Sequence, residues 1–217
     1  MDIDWVGGAA VVRLDREINA FDAVFVEELH AALDVVAASE TATALVTTGT
    51  ARHYSDGFDL DFLGALAGDD LTAFVDRSVL LLTRLLTFPV PTAAAVNGHA
   101  FGIGAMLALA HDRRVMRADR GWFCLPEIDL GMRLHPGMLA FLVHRMGQAL
   151  AEEALLTGRR YDGPAARQAG IVADVAPLDA LVPAALGALA PLTGKARAAT
   201  VALKRQLHAP VLDRGPR

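Results

Sequence analysis

Apolar positions along this chain follow two periods. In FDAVFVEELHAALDVVAA (21–38), Phe21, Phe25, Leu29, Leu33 and Val36 recur three or four residues apart, which predicts one face of a helix. The same period predicts helices over 71–88, ended by Pro89 and Pro91, and over 136–146, 148–157, 164–169, 178–191 and 195–207. Short runs rich in valine, leucine and alanine predict strands at 9–14, 43–48 and 92–98, in two pieces within 113–125, and last at 169–175. Residues 102–111 are so uniformly apolar that they read as a buried helix, 49–59 read as a loop, and the tail HAPVLDRGPR reads as frayed. Strands alternating with helices define an α/β chain with a largely parallel sheet, and the last third is almost all helix.

The totals narrow the possibilities. A chain of 217 residues, 53% hydrophobic and 21% charged, builds one substantial core and one globular domain. The net charge of −5 without a basic run argues against nucleic acid or an anionic membrane surface as partner. The single Cys124 excludes an internal disulfide and a multi-cysteine metal cluster. The start MDIDWVGG lacks signal-peptide features, and Arg84, Pro89 and Pro91 interrupt the apolar residues 79–96, so a cytoplasmic location is expected.

Three segments carry candidate chemistry. In NGHAFGIGAMLALAHD (97–112), Gly98, Gly102 and Gly104 precede an apolar helix. Gly102 and Gly104 make only part of a dinucleotide fingerprint, because Leu107 stands where a third glycine would fall. Those glycines either let the helix pack closely on a strand or expose its first amides, which lack intrahelical acceptors and attract negative charge. The second segment, HYSDGFDL (53–60), is either an ordinary loop or another exposed amide at the same sheet edge. The third, CLPEIDLG (124–131), sets Glu127 among apolar neighbours. There it is either a surface residue at a strand end or an acid/base of raised pKa, with Asp129 a turn or capping group. The seven histidines show no metal-ligand spacing, no G-x-S-x-G elbow occurs, and His99 and His135 lie near the candidate loops without evident partners.

Taken in order, NAFDAVFVEEL (19–29), YSDGFDL (54–60), PTAAAVNGHAFGIGAMLALAHD (91–112), PEIDLG (126–131) and LLTGRRYDGPAARQAGIVADV (155–175) resemble the crotonase superfamily, the enoyl-CoA hydratase/isomerase family. The resemblance implies a spiral of ββα units over about 1–160 and a helical region over about 161–217 that forms a homotrimer or a dimer of trimers. It implies an acyl-CoA substrate, coenzyme A entering as part of that substrate, with no metal and no separate cofactor. It implies an oxyanion hole made of the Phe58 and Ile103 amides, and Glu127 as the catalytic carboxylate.

Hydratases of the family carry a second glutamate where Met106 stands, so the resemblance is closest to the Δ3,Δ2-enoyl-CoA isomerases. It further places Ser55, Asp56, Gly57, Asp59 and Gly102 beside the substrate, and Met106, Trp122, Leu130 and Leu134 along the acyl pocket. Arg133 and His135 are expected near that pocket, and Lys204 or Arg205 is the candidate for the CoA phosphates. A hydratase, another acyl-CoA hydrolase or lyase, and a non-catalytic acyl-CoA-binding protein are the alternatives, with Asp56, Asp129 or His135 as a second polar group.

Overall fold

The computed structural model describes residues 1–214. Its strands are β1 (Asp2–Val6), β2 (Ala9–Leu14), β3 (Ala44–Gly49), β4 (His53–Ser55), β5 (Thr92–Val96), β6 (His99–Phe101), β7 (Arg113–Arg117), β8 (Phe123–Cys124) and β9 (Asp174–Ala176). Its α-helices are α1 (Ala23–Ala38), α2 (Leu60–Ala65), α3 (Gly68–Leu86), α4 (Ile103–Ala110), α5 (Pro136–Met146), α6 (Gln148–Thr157), α7 (Gly163–Gln168), α8 (Leu181–Leu189) and α9 (Arg197–Leu212).

Six strands form one sheet in the order β1-β2-β3-β5-β7-β9, and β4-β6-β8 form a second, smaller sheet. Among the strand pairs of the described residues, the β1–β2 hairpin is antiparallel and the others are parallel. The chain therefore winds as a spiral: a strand of the large sheet, a strand of the small sheet, then a helix, repeated through β3-β4, β5-β6 and β7-β8. Each turn brings the end of a small-sheet strand and the start of the next helix to the same side.

Both faces of the large sheet are covered, and strand alternation sorts its side chains. Ala10, Val12, Leu14, Leu45, Ala94 and Val96 join the main core with α1, α3, α4 and α5. Their neighbours Ala9, Val11, Ala44, Val46, Ala93, Ala95 and Val115 face Leu181, Ala185 and Leu189 of α8. Alanine-rich β5 lets α8 lie close on the sheet, and each buried leucine of α8 contributes about 1.5–3 kcal/mol.

Six elements depart from the sequence expectation. Strands β4 and β6 have only three residues each and carry polar His53 and His99, so neither shows a strand period. The hairpin strand β1 is mostly exposed, and α2 buries no residue. The last strand is confined to 174–176 rather than 169–175. Helix α9 continues through Pro210 to Leu212 because His208 and Val211 are buried, so the segment expected to fray is helical there. Its last residues, 215–217, lie outside the described residues.

Candidate active site

The site is assembled at the junction of the two sheets, where β4 and β6 hand over to the segments before α2 and α4. Asn19 organises the first segment. It is buried, its φ is 49°, and its side-chain amide donates to the carbonyls of His53 (3.2 Å) and Tyr54 (3.1 Å). Ser55 Oγ returns a bond to the Asn19 carbonyl at 2.7 Å and accepts from Gly57 N–H at 3.3 Å. Nothing in the spacing of the sequence marks Asn19 for this role; it is visible only as the first residue of NAFD.

Phe58 pairs with Phe21 in an isolated parallel bridge. Phe21 N–H donates to the Gly57 carbonyl at 2.7 Å, and Asp59 N–H donates to the Phe21 carbonyl at 3.1 Å. Amides of an extended segment alternate in direction, so the Phe58 N–H points away from Phe21, and it has no acceptor among the described residues. In the second segment Gly102 N–H donates to the Cys124 carbonyl, and Gly102 turns the strand into α4 with φ 49° and ψ −122°. Ile103 is the first residue of α4, so its N–H is one of the orphan donors at the positive end of a helix.

The two segments touch. Gly57 has φ +90°, and a β-carbon there would lie 2.8 Å from the Phe101 carbonyl oxygen and 3.8 Å from Gly102 Cα. Gly104 serves close approach in the same way, since a β-carbon on it would meet Ser55 at 2.6–2.7 Å. The close-packing reading of the glycine-rich segment thus holds, and tight packing sets the two segments side by side.

Glu127 comes from the turn after β8. It is 9% exposed, and its Oε2 has no hydrogen-bond partner among the described residues. Desolvation pushes its carboxyl above the usual carboxylate range, and its own backbone N–H offsets part of that rise. A buried, unpartnered carboxylate is costly, which distinguishes it from a structural ion-pair residue.

These groups line one cavity of about 690 Å³. Asp56, Gly57, Phe58, Asp59, Gly102, Ile103, Met106, Glu127, Leu130 and Leu134 all border it, together with Arg133 and His135. Leu63, Leu71, Val75 and Met138 extend its apolar wall. Two expected residues are elsewhere. Ser55 is fully buried behind Gly104 and holds the loop instead of facing the cavity. Trp122 is 37% exposed and lies off the cavity lining, because it precedes β8 rather than following it. Asp129 is also outside the lining. Lys204 is committed to the core: Nζ lies 2.6 Å from Asp112 Oδ2 and donates to the Val90 carbonyl at 3.2 Å, so it does not serve a phosphate. Arg205 is on the same helix, away from the cavity lining.

Helix α4 is anchored at its other end. Arg145 donates to the carbonyls of Leu109 and His111, each at 2.8 Å, and Arg114 donates to that of His111 at 2.8 Å. Cations at a helix C-terminus suit its dipole. His111 Nδ1 pairs with the Leu107 carbonyl at 2.9 Å, and its Nε2 meets Thr47 Oγ1, which in turn meets Tyr54 OH at 2.7 Å. This buried chain ties α4 to β3 and β4. Burial drives the His111 pKa down to about 4 and raises that of Tyr54, so both stay neutral near pH 7.

Among the described residues no cluster of histidine, cysteine and carboxylate side chains fits a metal ion, and no helix is long and apolar enough to cross a membrane. The ββα spiral thus sets the Gly57–Phe58 and Gly102–Ile103 segments and the desolvated Glu127 carboxyl around one cavity. The family profile for enoyl-CoA hydratase/isomerase matches residues 6–217, and the chain belongs to that family. It is 38% identical over 138 residues to enoyl-CoA delta isomerase 3 of Arabidopsis thaliana, covering 62% of this chain and 58% of that one. It is 36% identical over 162 residues to the 2,3-dehydroadipyl-CoA hydratase of Escherichia coli K12, covering 74% and 62%. The matched segments thus span about three-fifths of the length of these curated relatives. The crystal structure of a probable enoyl-CoA hydratase from Mycobacterium tuberculosis superposes with a TM-score of 0.90 at 27% identity, covering 98% of this chain and 90% of that one.

Proposed function

We propose that this chain is an enoyl-CoA isomerase that shifts a double bond from C3 to C2 of an acyl-CoA. The observation that carries the reading is a buried carboxylate oxygen without a partner, Glu127 Oε2, in a cavity where Met106 closes the wall beside the helix N-terminus. Hydration of an enoyl thioester needs a water held and deprotonated while the α-carbon is protonated. One carboxylate beside an apolar wall holds such a water poorly, but it moves a proton well.

In this reading the thioester oxygen accepts from the Phe58 and Ile103 amides. Glu127 removes a proton from C2, and the electron pair of that C–H bond moves into the thioester carbonyl. The resulting dienolate carries its charge on the oxygen between the two amides. Glu127 then returns the proton at C4, the C3–C4 double bond opens to receive it, and C2=C3 forms in conjugation with the carbonyl. Each amide donor is worth about 2.7–4 kcal/mol to such an intermediate. A positioned base is worth about 10²–10⁴-fold, and a carboxyl with a raised pKa both takes and returns a proton near neutral pH.

Coenzyme A is part of the substrate, and no other cofactor is required by this chemistry. The same reading has the chain act as a homotrimer or a dimer of trimers in the cytoplasm. A 3-enoyl-CoA deuterated at C2 tests the mechanism by mass spectrometry. Deuterium at C4 of the 2-enoyl product is expected; a 3-hydroxyacyl product in its place would overturn the reading. Hydration is the second reading, favoured by the named hydratase relative and by Asp56 on the cavity wall.

A further inference from the structure

Two helical faces form part of the cavity wall, and one half-buried pair joins them. On α3, Leu71, Thr72 and Val75 border the cavity, and Asp76 follows Thr72 by one helical turn. Opposite, Leu134, His135 and Met138 border it at the start of α5. His135 Nε2 lies 3.4 Å from Asp76 Oδ1. The other ring nitrogen, Nδ1, accepts the Gly137 N–H at 3.1 Å and caps α5. That bond requires a lone pair on Nδ1, so neutral His135 carries its proton on Nε2, the nitrogen that faces Asp76. One side chain therefore fixes the start of α5 and ties it to α3. The N-terminus of α3 has no side-chain cap; its first turns are otherwise held on the opposite side, by Phe74 against Phe58 and Phe62 and by Arg77 on Glu27.

The geometry points to the Asp76–His135 pair as a specificity-determining bridge that limits the length of acyl chain the cavity accepts. The inference rests on the reading that this cavity holds an acyl-CoA. The bridge holds the Leu71–Val75 face against the Leu134–Met138 face and so bounds the apolar space between them. Both residues are positioning residues: neither is placed at the reacting carbons.

Calorimetric titration with saturated butanoyl-, octanoyl- and dodecanoyl-CoA tests the bridge without turnover. Asp76→Ala removes one partner. His135→Asn keeps a capping side chain but is too short to reach Asp76. Asp76→Ala should bind butanoyl-CoA as the wild type does and dodecanoyl-CoA more tightly, by about fourfold for each methylene newly admitted. His135→Asn should shift the same ratio, and the double variant should add nothing further. An unchanged ratio in both single variants overturns the bridge and leaves the isomerase reading standing. A shifted ratio in a chain that isomerises nothing supports the bridge and removes the isomerase reading. A wild type that binds no acyl-CoA overturns both.

Discussion

Gly102 and Glu127 face one another: a β-carbon on Gly102 would lie 3.6 Å from Glu127 Oε1. The carboxylate is therefore held beside the first turn of α4, whose leading N–H groups lack intrahelical acceptors. The proposed base and the proposed anion site come from different turns of the spiral, and the contact between them is made by a residue without a side chain.

Gly57→Ala tests the paired amides. The new methyl would lie 2.8 Å from the Phe101 carbonyl oxygen, at a φ of +90° that disfavours any side chain. The backbone must shift at Phe58 or at Phe101–Gly102. Isomerase turnover should fall by about 10²-fold or more, with a lower melting temperature. Turnover within threefold of wild type would remove the Phe58 amide from the mechanism.

Glu127→Gln should abolish proton transfer while acyl-CoA still binds. It should also stabilise the protein at pH 7. The folded-state pKa of Glu127 is raised above 4.5 by desolvation, so the folded state binds this proton more tightly than the unfolded chain. Stability contributed by the protonated form is present at low pH and lost as pH rises through that raised value. The stabilising effect of the glutamine should therefore be largest at neutral pH and vanish below the ordinary carboxylate pKa. Urea unfolding of both proteins across pH 4–8 reads the trend, and a glutamine variant less stable at pH 7 would contradict it.

The buried histidines give the opposite trend. The pKa values of His111 and His208 are held down at about 4, mainly by burial, against an ordinary value of 6.5. The unfolded chain binds these protons first, so stability present above pH 6.5 is lost as pH falls toward 4. His208 also meets His144, at 2.9 Å, which joins α9 to α5. Unfolding followed by circular dichroism should show this acid loss, and His111→Gln should flatten part of it.

Lys204→Met leaves the largely covered Asp112, whose side chain is 16% exposed, without its cation, still held by Thr92 N–H at 2.8 Å. Breaking one side of such a pair costs about 3–5 kcal/mol, measurable in urea. Affinity for acyl-CoA should stay within twofold, because Lys204 is outside the cavity lining. A tenfold loss of affinity would return Lys204 to the phosphate-binding role expected from the sequence.

Long periodic elements were readable along the chain: α1 through Phe25, Leu29 and Leu33, β2 and β5 through their apolar runs, and α5 at its observed limits. Of the small sheet only β8 was, within 113–125; the three-residue strands β4 and β6 take their stability from pairing with each other, as His53 does with His99. Most expected site residues fall on one cavity because each follows a strand end, which a spiral brings to one side. Ser55 and Trp122 miss it for different reasons: Ser55, at the end of β4, packs against Gly104, and Trp122 precedes β8 instead of following it. Asn19 and the Asp76–His135 pair act across 36 and 59 residues of chain, beyond the reach of any local pattern.

The most direct test of the central claim is a pair of ultraviolet assays on one preparation. One follows the appearance of the conjugated product from a 3-enoyl-CoA, and the other follows the loss of conjugation from a 2-enoyl-CoA in water. Conjugation without measurable hydration is the predicted result if Glu127 works alone beside Met106, as proposed. Hydration at a comparable rate would contradict it and require a second polar group in the cavity to do what Met106 cannot.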